Sequence, residues 1–236
     1  MNLILLYQDD FVENSNLVRL QGRRLKHVLE VHRASIGDEL CVGVLNGRIG
    51  TGKVLNLDRS ILEMEIRLER LPSSPLPMTL ILALPRPKVL RRVLRSVSSL
   101  GVKRIILINC FRVEKSYWQS PFLSPAAVNE QLVLGLEQAR DTVLPEVQLR
   151  PLFKPFVEDE LPALIADTYP LVAHPVSETP CPHAIDRAVT LAIGPEGGFL
   201  PYEIEKLVAA GFTVVHAGER ILNVETAVPA LISRLF

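Results

Sequence analysis

The stretch that decides the fold covers residues 188–211 and reads AVTLAIGPEGGFLPYEIEKLVAAG. The apolar run Val189–Ile193 predicts a buried strand, and the spacing of apolar residues predicts a helix over Pro201–Ala210. Between them lies the glycine-rich loop Gly194–Gly198, whose backbone can approach a ligand closely because glycine has no side chain. Open α/β sheets place ligands where such loops follow the carboxyl ends of strands. The stretch therefore predicts an α/β domain with a binding pocket at this loop.

Strands and helices alternate through the rest of this part of the chain. Helices are predicted over Lys88–Leu100 and from the capping pair Ser124-Pro125 onward. The predicted strands share short apolar runs and are Met78–Leu84, Lys103–Ile108, Pro170–Ala173 and Thr213–His216. This alternation is typical of an α/β domain with a parallel sheet.

A second motif covers residues 216–226 and reads HAGERILNVET. It follows a predicted strand, and Asn223 is a good candidate to cap the short helix that comes next. Charged groups in an apolar setting need partners, so an ion pair between Arg220 and Glu225 is expected. Such a pair could act in chemistry or could simply tie the loop to the helix. Neither motif has the lysine of a phosphate-binding P-loop, which disfavours a nucleotide hydrolase.

The chain divides at a proline-rich break, LPSSPLP, at residues 71–77. Before it, strands are predicted over Glu39–Val44, Gly47–Leu55 and Ser60–Leu68, with one helix near Arg23–Val31. A small β-barrel of about 70 residues fits this pattern. The sequence thus predicts two domains, residues 1–72 and 73–236.

Composition narrows the class of protein. Almost half of the 236 residues are apolar, which is enough for a sizeable core. No apolar run reaches the roughly 18 residues needed to span a bilayer. We therefore expect no membrane association and a cytoplasmic location. Cys41, Cys110 and Cys181 form no CxxC pair, and neither a disulfide framework nor a metal site is expected. His174 and His183 beside Cys181 are interpreted as ordinary loop and core residues.

Charge is unevenly distributed although the net charge is zero. Residues 1–118 contain 19 Lys/Arg and 11 Asp/Glu, whereas residues 119–236 contain 7 and 15. This asymmetry indicates a polyanionic partner that is met mainly by the first half. A chance fluctuation of solvated surface charge is the alternative.

The two motifs, LAIGPEGGFLPYEIEKLVAAGF and AGERILNVETA, together resemble those of the bacterial 16S ribosomal RNA uridine N3-methyltransferases of the SPOUT superfamily. Supporting similarities lie in the segment EQAR at residues 137–140, in LPEV at 144–147, and in His27-Val28, Val31, Arg33 and Gly37-Asp38 of the first domain. The resemblance covers essentially the whole chain.

The chain departs from the family pattern at three places. Asn223 stands where the family has a second arginine, and Ser99-Leu100-Gly101 replaces the sequence Glu-Leu-Gly. Pro229 lies where the last helix should continue, and it predicts a helix that kinks or begins late. These departures leave the exact target base open.

The resemblance implies a C-terminal SPOUT-type α/β domain with a deep trefoil knot, preceded by a PUA-like β-barrel domain, in a homodimer. It implies that S-adenosylmethionine binds in the knot. The residues carried over to that pocket are Ile193, Gly194, Pro195, Glu196, Gly197, Gly198, Ala217, Gly218, Ile221 and Leu222.

The implied reaction is methylation of the N3 of a uridine in 16S ribosomal RNA of the small subunit. The N3 proton must be removed or the resulting anion stabilised, for which the candidates are Glu225, Arg220 and, as a further carboxylate, Glu196. With the charge asymmetry, the resemblance predicts that the N-terminal domain delivers RNA. The predicted RNA-binding residues are Arg19, Arg23, Arg24, Lys26, Arg33, Lys88, Arg91, Arg92 and Arg95. Two alternatives stay open: a SPOUT methyltransferase that acts on another RNA base, and a non-catalytic RNA-binding factor that keeps the cofactor pocket.

Overall fold

The structure is a computed structural model that describes residues 2–13 and 15–236. The chain forms two compact units. The first unit comprises residues 1–74 together with 133–144, and the second comprises 75–132 and 145–236. The chain thus passes from one unit to the other after Ser74, within the proline-rich segment, and returns to the first unit for twelve residues.

The first unit contains a five-stranded sheet in the order β1-β3-β4-β5-β2. Its strands are β1 (Ile4–Leu6), β2 (Leu17–Leu20), β3 (Glu39–Val44), β4 (Ile49–Leu57) and β5 (Leu62–Arg70). β1 pairs with β3 in parallel, and the other pairings are antiparallel. No ladder joins β1 to β2 among the described residues, so the sheet is curled and open where a barrel was expected.

One short helix covers the core of this unit. Helix α1 (Gly22–His27) continues as a π-helical turn, Val28–His32, and Arg33 ends it in the left-handed conformation at φ 52°. Leu25 and Val28 point into an apolar cluster with the inward residues of the sheet. The helix predicted near Arg23–Val31 is therefore present, and the helical segment is one residue longer at each end.

Residues 133–144 belong to the first unit because their side chains are part of its core. Val133 and Leu136 pack in one cluster with Leu3 and Leu5 of the amino-terminal strand. Glu137 is 1% exposed, and its carboxylate accepts two hydrogen bonds from Arg23, at 2.8 and 2.9 Å. The prediction of one continuous domain over 73–236 did not include this return.

The second unit is built on a six-stranded parallel sheet in the order β11-β9-β10-β6-β7-β8. Its strands are β6 (Met78–Ala83), β7 (Arg104–Ile108), β8 (Glu146–Arg150), β9 (Tyr169–Ala173), β10 (Val189–Ile193) and β11 (Thr213–Val215). Every residue of β6 and β10 is buried, as expected of central strands covered on both faces. The mixed α/β class with a parallel sheet is confirmed.

The helices of the second unit follow the predicted order. They are α2 (Pro87–Ser99), the first part of α3 (Pro125–Ala139), α4 (Phe153–Pro155), α5 (Leu161–Ile165), α6 (Pro201–Ala209) and α7 (Val224–Leu235), with 3-10 turns at Lys115–Gln119 and Pro121–Leu123 and a π turn at Phe156–Glu160. The residues of α3 from Val133 onward belong to the first unit. Helix α7 begins directly after Asn223 and continues through Pro229, so the expectation of a late start is wrong. The proline removes one backbone donor, but Val228, Leu231 and Ile232 around it are buried and hold the helix in place.

The end of α7 is attached to the loop between β9 and β10. Ile185 N donates to Leu235 O at 2.7 Å, and Arg234 Nε donates to Cys181 O at 2.8 Å. An earlier loop thus holds the last helix of the chain. Within the residues that the structure describes, no helix has the length and apolar character needed to cross a membrane.

Candidate functional site

A cavity of about 550 Å³ lies at the carboxyl ends of β9, β10 and β11. Three loops form its walls, at residues 173–176, 193–199 and 217–224. Because these strands are neighbours in a parallel sheet, the loops that follow them meet at one edge. The volume is within the range of small-molecule and cofactor sites. A wider hollow on the first unit, beside Phe11 and Asn16, is an open surface depression and lacks such walls.

All ten residues predicted to contact a cofactor lie in the wall of this cavity: Ile193, Gly194, Pro195, Glu196, Gly197, Gly198, Ala217, Gly218, Ile221 and Leu222. Two of the glycines have backbones that favour glycine, Gly198 at φ +73° and Gly218 at φ +142°. A Cβ at Gly218 would meet no atom within 4 Å, so this backbone borders open space. A ligand in the cavity can therefore approach the peptide groups of both loops.

The sequence analysis missed one wall of the cavity. Residues 173–176 follow β9, which lies between β10 and β11 in the sheet, and so they separate the two glycine motifs. His174, which the sequence analysis interpreted as an ordinary loop or core residue, shapes this loop: its Nδ1 accepts from Val176 N at 3.3 Å and its own N donates to Val215 O. The signal that could have found this wall is the strand order, which the sequence does not contain.

The glycine loop after β10 is held by the loop after β7. Arg112, which also lines the cavity, donates from Nη1 to Gly197 O. Glu203 on α6 is 3% exposed, and its two oxygens accept from Phe111 N at 2.8 Å and from Leu200 N at 2.7 Å. Burial, followed by the charge of this carboxylate, raises the pKa of the Cys110 thiol to about 12. The contacts made by Arg112 and Glu203 thus hold the glycine loop and the start of α6 against the segment after β7, which lies far away in sequence.

The predicted pairing of Arg220 with Glu225 is wrong. Glu225 lies opposite Arg92, with Nε and Oε2 2.7 Å apart, because α2 packs against α7 and brings Arg92 to its first turn. The contact is an ion pair without hydrogen-bond alignment. Arg220 is exposed in the cavity wall, and the described chain offers it no carboxylate within salt-bridge distance.

The other two predictions at this end of the cavity have different outcomes. Asn223 caps α7, since its Oδ1 accepts from Thr226 N at 2.9 Å, so the capping prediction is confirmed. Glu196 lies in the cavity wall, where its Oε1 accepts from Arg86 N at 3.0 Å. Glu225 does not line the cavity, and the two carboxylates therefore differ in their access to a ligand.

Most of the basic residues predicted to bind RNA in the first unit have acidic partners. Arg19 pairs with Glu63, Arg23 with Glu137, Arg24 with Asp10, and Lys26 with Glu30 at 3.9 Å. Arg24 is only 17% exposed, and it also donates to Leu5 O. Arg33 is exposed and ends the helical segment. Arg23 and Arg24 thus have structural roles that their selection as RNA ligands did not anticipate.

The basic residues of α2 are differently placed. Arg95 donates to the neutral Gln131 at 2.7 Å, Arg91 lies over the ring of Phe122, and Lys88 is exposed, whereas Arg92 is paired as described. The location of the positive charge is accordingly corrected. Residues 1–74 contain ten Lys/Arg and ten Asp/Glu, whereas residues 75–118 contain nine and one. The whole excess of the first half belongs to the second unit, so it does not support RNA delivery by the first.

Among residues 2–13 and 15–236, no three His, Cys, Asp or Glu side chains come together in a way that could hold a metal ion. Cys181 is buried, and the three cysteines are free thiols.

A parallel α/β unit with a cavity formed by glycine-rich loops defines a small-molecule-binding protein of the α/β class. Residues 72–236 match the family model described as RNA methyltransferase domain. This match spans well over half of the chain, and the chain belongs to that family.

Relatives match over nearly the whole chain. Ribosomal RNA small subunit methyltransferase E of Treponema pallidum is 28% identical over 232 residues, which cover 96% of this chain and 87% of that protein. The protein of the same name from Neisseria gonorrhoeae, solved bound to S-adenosyl methionine, superposes with a TM-score of 0.74 at 20% identity, covering 98% of this chain and 95% of that one. A Legionella pneumophila protein solved with the cofactor SAM gives a TM-score of 0.75 at 24% identity, with coverages of 99% and 96%. The fold is thus shared over both units.

Proposed function

We propose that this protein is an S-adenosylmethionine-dependent methyltransferase that modifies the N3 of a uridine in 16S ribosomal RNA of the small ribosomal subunit. The observation that carries the proposal is the cavity of about 550 Å³ whose walls include both glycine motifs. The family to which the chain belongs and the names of the chain's relatives favour ribosomal RNA as the substrate.

The residues present fit the cofactor. Ile193, Ile221 and Leu222 offer apolar surface for an adenine ring, and the glycine loops offer peptide donors and acceptors for its polar edges. Arg112 and Arg220 are the cations of the wall, and either could receive a carboxylate. When bound, the cofactor supplies an electrophilic methyl group on a sulfonium sulfur.

The protein must deal with a proton, because uracil N3 carries one at neutral pH. We assign to Arg220 the stabilisation of the uridinate oxygens, since it lines the cavity and is free of acidic partners among the described side chains. For removal of the N3 proton the geometry favours Glu196, which lines the cavity, over Glu225, which faces Arg92. The target base has to leave its stack to reach either group.

The decisive experiment is mass spectrometry of nucleosides in ribosomal RNA from a strain that lacks this protein. We expect 3-methyluridine to disappear from the small-subunit RNA, and to return when the purified protein and S-adenosylmethionine are added. Loss of a different methylated nucleoside would establish the alternative that another base is the target. An unchanged nucleoside profile, with intact cofactor binding by calorimetry, would establish a non-catalytic RNA-binding factor.

The finer features of the family are proposed on the same basis. A trefoil knot is supported by the loop at residues 181–185, which holds the end of α7. A homodimer is supported by the exposed apolar side chains of Val176 and Ile221 at the cavity. We further propose a PUA-like first unit and a cytoplasmic location, where ribosomal RNA is modified. Light scattering on the purified protein tests the dimer, since a monomeric mass would contradict it.

A further inference from the structure

A strip of positive charge lies on the second unit beside the cavity. Seven cations on α2 and on the segment after β7 contribute to it: Arg86, Lys88, Arg91, Arg92, Arg95, Arg112 and Lys115. Across residues 75–118 the sequence contains one acidic residue, Glu114. In the part of the chain that the structure describes, Arg92 is the one member of the strip with a carboxylate within 4 Å. The other six leave their charge available to a partner.

The members of this strip form one continuous surface. The guanidinium of Arg91 lies 4.8 Å from the centre of the Phe122 ring, which joins α2 to the segment after β7. Arg86 interacts with the Tyr117 hydroxyl and donates its backbone N–H to Glu196 of the glycine loop. Arg112 reaches the same loop at Gly197. The positively charged strip therefore extends to the glycine loop that lines the cavity.

An exposed aromatic ring lies within the strip. Phe111 is 79% exposed, although a ring of this size normally stays out of water. Its backbone is fixed, because its N–H donates to the buried carboxylate of Glu203 and the next residue is bound to Gly197. A rigid backbone that presents a ring next to an arginine matches the platforms on which unpaired bases stack.

We propose that this strip binds a single-stranded segment of the RNA substrate, with Phe111 stacking on a base next to the target and the α2 cations holding phosphates. The inference rests on the proposed function and adds to it the path of the RNA. A two-fold contact between two copies of this surface would bring like charges together, which disfavours a second copy as the occupant. The first unit offers no comparable surface, since its ten basic and ten acidic residues before position 75 balance.

The first experiment measures the salt dependence of binding of the full chain to a fluorescein-labelled oligouridylate by anisotropy. The variant K88Q/R91Q/R95Q should lower the slope of log affinity against log salt by about 2, since each phosphate contact on a single strand contributes about 0.7. The matched control K53Q/R59Q/R70Q removes the same charge from exposed positions of the first unit and should leave the slope unchanged. A slope that falls in the control and not in the α2 variant would overturn the proposal.

The second experiment separates stacking from charge. Phe111→Ala and Phe111→Leu should weaken binding about 5- to 150-fold at an unchanged salt slope, because stacking on one base contributes roughly 1–3 kcal/mol. Phe111→Trp should retain the affinity. If all three variants bound the oligonucleotide with the same affinity, the stacking role would be refuted. It would also be refuted if a variant bound RNA normally but had a lower oligomeric mass than the wild type, because Phe111 would then be a contact between protein chains.

Cofactor calorimetry on the same proteins keeps the two proposals apart. Each variant should bind S-adenosylmethionine as the wild type does, because none of the substituted side chains lines the cavity. If the wild type failed to bind the cofactor, the proposed function would fail while the salt slopes would still decide where RNA binds.

Discussion

Replacement of Glu203 tests whether the cavity wall depends on one buried carboxylate. Its two oxygens accept from Phe111 N and Leu200 N at 2.8 and 2.7 Å, and the side chain is 3% exposed. In Glu203→Ala both N–H groups lose their acceptor; a fully buried donor left unsatisfied costs about 1–3 kcal/mol, and these two hydrogen bonds are partly buried, so water replaces part of the loss. We expect the free energy of unfolding to fall by roughly 1–3 kcal/mol, against a typical total of about 5–15 kcal/mol.

Glu203→Gln is the sharper variant because it keeps the shape of the side chain. Its amide oxygen can accept one of the two hydrogen bonds, while its NH₂ group is a donor that faces the other N–H. We expect roughly half of the loss seen in the alanine variant, together with weaker binding of S-adenosylmethionine, because Leu200 follows the glycine loop directly. The matched control is Glu205→Gln, at an exposed position of the same helix, which should change neither quantity.

Denaturant unfolding and cofactor calorimetry measure the two effects separately. If Glu203→Gln unfolded at the same denaturant concentration as the control, the hydrogen bonds would contribute nothing and the reasoning would be refuted. If Glu203→Gln were destabilised but bound the cofactor with wild-type affinity in its folded form, the proposed link between the Glu203 hydrogen bonds and the cavity would be refuted instead.

Three further predictions concern the site. Gly197→Val should abolish cofactor binding with little change in melting temperature, because its Cβ would lie 2.9 Å from Arg112 Cδ at an exposed loop; unchanged calorimetry would contradict this. Arg220→Ala should slow methyl transfer by a factor of about 10² to 10³ at unchanged stability, as measured with labelled cofactor; an early-melting variant with normal transfer per folded molecule would exclude the role. Cys110 should resist thiol reagents at pH 8 in the folded protein, since burial raises its pKa to about 12 from 9.0. Stability should accordingly fall as the pH rises from 9 towards 12, where the unfolded chain loses this proton first; rapid Cys110 labelling on mass mapping would contradict the assignment.

The parts of the fold that local sequence determines were predictable. β6 and β10 are apolar at every position or nearly so, and α2 has its buried residues at helical spacing, so short windows suffice. β1 and β2 were not predicted, because strands of three and four residues are too short to show a period. The return of residues 133–144 to the first unit depends on contacts with Leu3 and Leu5, about 130 positions away, and no local pattern encodes it.

The same distinction between local and long-range information applies to the candidate site. Its two glycine motifs are continuous stretches of sequence, and all ten residues predicted from them lie in the cavity wall. The wall after β9 and the hydrogen bond from Arg112 to Gly197 were missed, because both depend on which strands become neighbours. The half-chain charge count failed for a related reason: its boundary at residue 118 joined a neutral segment to a basic one that belongs to a different unit.

Asn223, where the resemblance leads one to expect an arginine, begins a helix whose first turn has a cation from elsewhere in the chain beside it. In this chain Asn223 caps α7 through Thr226 N, a role that a short polar side chain performs well and an arginine does not. A guanidinium nevertheless lies 2.7 Å from Glu225, and it comes from Arg92, more than 130 positions earlier in the chain. Glu225 therefore has a cationic neighbour without a second arginine in its own motif. The packing of α2 against α7 thus brings a cation from another element to this carboxylate, which the motif by itself does not reveal.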